Sequence, residues 1–178
     1  MNKKQKRILK IATLILLVAA VFIIVWFTSK TGEESHRTSQ WLAKKIENFI
    51  GRHFTIDRRD VFWTSTLNAI LRKVGHFVEF FFLGMTAATF LILVFPRKRF
   101  SALSAIALCA LTALLDEFRQ SFVAGRTPQW LDVKLDMVGS LCGITLVFII
   151  WIIYSKMMRY KNRIKELEDF IKSHHLEE

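Results

Sequence analysis

The stretch RKVGHFVEFFFLGMTAATFLILVFPRKR, residues 72–99, decides the fold of this chain. From Phe80 to Pro96 it holds no ionisable residue, and it closes on the basic turn Pro96-Arg97-Lys98-Arg99. An apolar segment this long, ended by clustered Lys and Arg, is the pattern of a helix that crosses a bilayer. The whole chain is written the same way. Of its 178 residues, 52% are hydrophobic and yet 23% are charged, so the charges must be segregated from the apolar runs. The mean hydropathy of +0.31 is too high for an ordinary water-soluble domain.

The net charge of +11 raises the question of a nucleic-acid partner. The Lys and Arg residues bracket apolar runs instead of striping one soluble face, so no nucleic acid is expected. Flanking basic residues are the positive-inside signal, and they also favour anionic membrane lipids. Cys109 and Cys142 lie within apolar runs. Neither disulfide nor zinc spacing is present, and both read as packing residues.

Working outward from the opening stretch gives an all-α, four-helix transmembrane bundle. The spans fall at about 8–27, 75–95, 100–122 and 135–154, within a transmembrane domain of residues 1–158. Lys3, Lys4, Lys6, Arg7 and Lys10 precede the first span, which reads as a retained anchor with its N-terminus in the cytoplasm. Arg97 to Arg99, and later Lys156 and Arg159, fall on that same side. Both termini are therefore expected in the cytoplasm of a multi-pass cell-membrane protein.

Residues 28–73 are polar and mixed in charge. Thr38 or Ser39 can cap a short helix ending near Gly51, with Trp41, Leu42, Ile46, Phe49 and Ile50 on one face. That helix is expected outside, either in the head-group boundary or packed on the spans. Another helix begins after Asp60 and runs directly into the second span. The tail, residues 159–178, is charged, with Tyr160, Ile164, Leu167 and Ile171 at helical spacing, and reads as a cytoplasmic helix.

The polar residues inside the spans can be placed in depth by counting from the cytoplasmic charges. Glu79 lies about 27 Å and His76 about 31 Å up the second helix; Asp116 lies about 26 Å and Gln120 about 31 Å up the third. Asp136 lies about 30 Å up the fourth. The hydrocarbon core is about 30 Å thick, so all three helices deliver polar groups to its outer boundary. Lys73, His76 and Glu79 follow at three-residue steps, while Asp116 with Gln120 and Asp132 with Asp136 are four-residue pairs. Each set can share one helix face.

Carboxylates in a bilayer turn inward, where Arg72, Lys73, Arg119 and Arg126 are available as partners. The expected site is an outward-facing polar pocket of Arg72, Lys73, His76, Glu79, Asp116, Glu117, Arg119, Gln120, Arg126, Asp132 and Asp136. The bland alternative is that these groups only fix helix register. Gly139 and Gly143, extended by Ser140, form one close-packing seam. Ser101, Ala105, Cys109 and Ala113 form another. Both read as seams inside the monomer.

The motifs also resemble a known family. Arg72-Lys73-Val74-Gly75-His76-Phe77-Val78-Glu79-Phe80 looks like the RK-x-x-HF-x-E-aromatic signature of VanZ-like proteins. Asp116-Glu117, Gln120, Phe122-Val123 and Gly125-Arg126 resemble their DE-x-x-Q-x-FV-x-GR signature. Asp132, Asp136, Gly139 and Gly143 complete the match, and Phe27-Thr28-Ser29-Lys30 with Ser35 is similar to the Ser-rich stretch after the family's first span. Arg119 departs from the pattern, where many members carry His, and so does Asp136, where many carry Asn. The founding member confers teicoplanin resistance on Gram-positive bacteria. The resemblance thus implies an accessory protein of the cell envelope that reduces glycopeptide action, by binding a lipid-linked cell-wall precursor or the antibiotic's lipid anchor.

A second function remains open: a membrane-embedded enzyme acting on a lipid-linked intermediate. His76, Glu79, Asp116 and Glu117 are the candidates for acid/base chemistry or for ligating a divalent metal. No recognised metal or nucleophile motif supports that chemistry, and no cofactor is expected. Ion transport ranks last, because the middle of every span is apolar and no inverted repeat occurs.

Overall fold

A computed structural model describes residues 2–29, 37, 40, 41, 45, 61–123 and 129–175. Every regular element among them is a helix. They are α1 (Lys3–Thr28), α2 (Val61–Val94), α3 (Lys98–Gln120) and α4 (Trp130–His175). All four are long and apolar enough to cross a membrane. The expected outer helix near residues 38–51 falls largely outside the described residues. Gln40, Trp41 and Lys45 are helical, and the Lys45 Nζ stands 4.0 Å from the centre of the Trp41 ring.

Local chemistry explains where these helices begin and stop. The Asn2 backbone N–H donates to Gln5 Oε1 at 2.9 Å, satisfying a donor that the first turn of α1 leaves open. Helix α2 ends before Pro96, which has no N–H with which to continue the ladder. The Ile92 carbonyl that this leaves open is met by a side chain, and the Leu91 carbonyl, already bonded to the Phe95 N–H, takes a second donor. Lys98 Nζ donates to Ile92 O at 2.8 Å, and Ser101 Oγ donates to Leu91 O at 3.0 Å. The basic turn thus closes a tight α2–α3 hairpin from within.

Two compact units divide the chain, Met1–Ile144 and Thr145–Glu178. In the first, α2 is the central helix, packed on α1 and α3, while α1 also touches α3. Residues of α4 up to Ile144 meet α2 across the glycine seam. A Cβ on Gly139 would sit 2.5 Å from the Phe77 carbonyl oxygen, and one on Gly143 would overlap the Phe81 carbonyl oxygen. A Cβ on Gly84 would likewise overlap the Ser140 backbone. Backbones approach this closely only where a side chain is missing.

The buried face of α3 is Ser101, Ala105, Cys109 and Ala113, the small-residue stripe of the sequence. Phe80 and Leu83 are fully buried on α2, where their bulk fills the space that thin faces leave. Outward, Ile8, Ile11, Ile15, Phe22 and Trp26 of α1 and Leu103, Leu111 and Phe118 of α3 are exposed. Such a surface would aggregate in water and is satisfied by lipid tails. The second unit is the remainder of α4, helical through His175, with Tyr160, Ile164, Leu167 and Ile171 exposed. The expected boundary at residue 158 falls inside this helix.

Candidate functional site

Each packing stripe, followed one turn beyond the apolar core, becomes polar. On α2, Phe80 is preceded four residues earlier by His76, also buried. On α3, the Ala113 stripe continues to Asp116 and Gln120. On α4, Ser140 is preceded by Asp136 and Asp132, all three buried. The same helix faces that pack the core therefore carry these acids into the bundle.

The polar end is knit together by specific contacts. Gln120 Nε2 donates to Asp116 Oδ2 at 2.6 Å, and Arg119 Nη2 lies 3.4 Å from Asp116 Oδ1. Arg119 also donates to the hydroxyls of Thr28 and Ser29, which ties α3 to the end of α1. Glu117 accepts from the backbone N–H of Gln129, just before α4 begins. His76 Nδ1 and Asp136 Oδ1 face each other at 3.6 Å, beyond hydrogen-bond length. One ligand atom from each of His76, Asp116 and Asp136 fits within a mutual 4.8 Å.

Of the residues expected in the pocket, His76, Asp116, Gln120, Asp132 and Asp136 are buried. Glu79, Glu117 and Arg119 are half-buried, and Arg72 and Lys73 are exposed. Arg126 lies outside the described residues. Arg72 and Lys73 are the members that burial separates from the others. They share their helix with His76, but depth along an axis does not specify the angle around it.

Two participants escaped the sequence reading as site residues, and one buried polar residue further along α2 escaped it too. Thr28 and Ser29 hold Arg119, and Asn68 is buried with an Oδ1 that meets no hydrogen-bond donor among the described residues. Asn68 lies eight residues, about two turns, before His76, so extending the α2 face backwards finds it. Beside the cluster is a cavity of about 440 Å³ lined by Leu114, Glu117, Phe118, Ser121, Trp130 and Val133. Its wall is mostly apolar, and the Glu117 carboxylate supplies its charge.

The geometry agrees with a likeness that covers most of the sequence. The VanZ/LLP1 family, as a sequence profile, matches residues 13–153. No curated protein and no solved structure matches the chain.

Proposed function

The chain belongs to the VanZ/LLP1 family, and from that premise we propose that it is an accessory protein of the cell envelope that lowers susceptibility to teicoplanin-type glycopeptides. It does so by engaging a lipid-linked ligand at its polar end. The observation that carries this reading is the cavity of about 440 Å³ directly beside the buried acids, apolar along Leu114, Phe118, Trp130 and Val133 and charged at Glu117. A lipid tail gains by covering the apolar wall, and its head group meets Glu117 and the cluster behind it.

The basic turn Arg97 to Arg99 is at the opposite end of the α2–α3 hairpin from His76 and Asp116. With that turn in the cytoplasm, the cavity opens at the outer leaflet, where cell-wall precursors and the antibiotic meet. Two variants test the reading, Glu117→Ala and the cavity-filling Leu114→Trp. Each is expected to return teicoplanin susceptibility to that of cells lacking the chain, with membrane levels of the protein unchanged. Full protection by both variants would remove the cavity from the mechanism.

A second reading, an enzyme acting on a lipid-linked intermediate, is favoured by one observation: His76, Asp116 and Asp136 converge from three helices. An imidazole among carboxylates can carry protons. Incubating the purified protein with labelled lipid intermediates tests it, and turnover lost in His76→Gln is the expected result.

A further inference from the structure

We propose that His76, Asp116 and Asp136 form a binding site for one divalent cation, of the manganese or zinc type. The cluster supplies one imidazole nitrogen and carboxylate oxygens from three different helices, and these atoms fit within 4.8 Å of one another. Mixed nitrogen and oxygen donors suit borderline divalent ions. Two ligands at about 2.1 Å from one ion stand roughly 3.4–4.2 Å apart, depending on the angle between them. His76 Nδ1 and Asp136 Oδ1, at 3.6 Å, fall inside that range. The widest separation within the trio needs to close by about 0.6 Å at most.

A second observation is the burial of this pair. His76 Nδ1 and Asp136 Oδ1 have no hydrogen-bond partner among the described residues, and their side chains are only 9% and 2% exposed. At 3.6 Å the two atoms are too far apart for a direct hydrogen bond, so only the ion pair formed when His76 is protonated offsets the cost of burying them. A cation satisfies both.

The surroundings agree. Gln120 donates to Asp116 Oδ2 and Arg119 Nη2 stands 3.4 Å from Oδ1, as outer partners orient the ligands of metal sites. Three aspartates, Asp116, Asp132 and Asp136, are buried at this end of the bundle. Three protein ligands also leave coordination positions open, as at catalytic metal sites. The cation site is independent of the glycopeptide reading, since it concerns three side chains and an ion.

The test uses the full chain in lipid nanodiscs, stripped with a chelator and then given Mn²⁺, Zn²⁺ or Mg²⁺ alone. Bound metal is counted by mass spectrometry, Mn²⁺ is followed by its electron paramagnetic resonance spectrum, and thermal unfolding is recorded. Wild-type protein is expected to retain one Mn²⁺ or Zn²⁺ and to melt higher with it. Asp136→Asn and His76→Gln are expected to abolish retention, Gln120→Ala to weaken it by about 10–100-fold, and the tail variant Glu168→Gln to leave it intact. A stripped wild-type chain that binds none of the three ions overturns the proposal, with no variant needing to fold. So does binding that survives in Asp136→Asn and His76→Gln. Cation binding without any effect on teicoplanin susceptibility keeps this site and removes the glycopeptide reading; protection without a bound cation does the reverse.

Discussion

Arg119 shows how much one side chain decides at this end of the protein. It reaches from α3 to Thr28 and Ser29 of α1 while standing 3.4 Å from Asp116. It is therefore both a tether between helices and a guanidinium beside a buried acid. Truncating it opens the tether and leaves Asp116 with Gln120 alone. Hydrogen bonds to a charged group are worth about 1.5–3 kcal/mol each. Arg119→Ala is expected to lower stability by about 2–4 kcal/mol, read by denaturation in micelles. Arg119→His shortens the reach, and an intermediate loss is expected. Equal stability of wild type and Arg119→Ala would show that the tether does not hold α1.

At the scale of elements, the seam between α2 and α4 turns on missing side chains. Gly139 and Gly143 stand against the backbone of Phe77 and Phe81, which cannot step aside as a flexible side chain would. Overpacking costs about 1–3 kcal/mol in well-packed interiors. Gly143→Ala is expected to reach the upper end of that range, with Gly139→Ala close to it. At Gly75, one residue from His76, an added methyl group would meet nothing within 4 Å among the described residues. Gly75→Ala is therefore expected to be neutral or to stabilise α2 by up to about 1 kcal/mol, through helix propensity. Unfolding the three variants side by side in one detergent checks the contrast. A destabilised Gly75→Ala with a neutral Gly143→Ala would contradict the seam.

For the molecule as a whole, orientation in the membrane gives the polar end its meaning. The basic residues before α1, in the Arg97 to Arg99 turn and at Lys156 and Arg159 are expected on the cytoplasmic side. A cysteine at Arg97 is then labelled by an impermeant maleimide only after cells are opened, whereas a cysteine at Gln129 is labelled in intact cells. Replacing Cys109 and Cys142 first removes the background, and Cys142 is the exposed one of the two. Labelling at Gln129 only in opened cells would put the cavity and the acids on the cytoplasmic side, and the link to extracellular glycopeptides would fall.

The four helices were legible in the chain itself. A bilayer admits few solutions, so long apolar runs such as Phe80–Pro96 and the basic turn after them determined the number, kind and approximate limits of the spans. The common level of His76, Asp116 and Asp136 along the bundle was legible too, because rise per residue is constant. Azimuth and partnership were not. Counting placed Glu79, His76, Asp116, Gln120 and Asp136 near one level and offered Arg72 and Lys73 as partners, but only the packed helices turned His76 and Asp136 inward, left Arg72 and Lys73 exposed and sent Arg119 across to α1. Those choices depend on how the small faces around Gly139, Gly143 and Ala105 let backbones approach. Close packing between distant segments is a property of the assembled bundle, since no local stretch of sequence contains both sides of the contact.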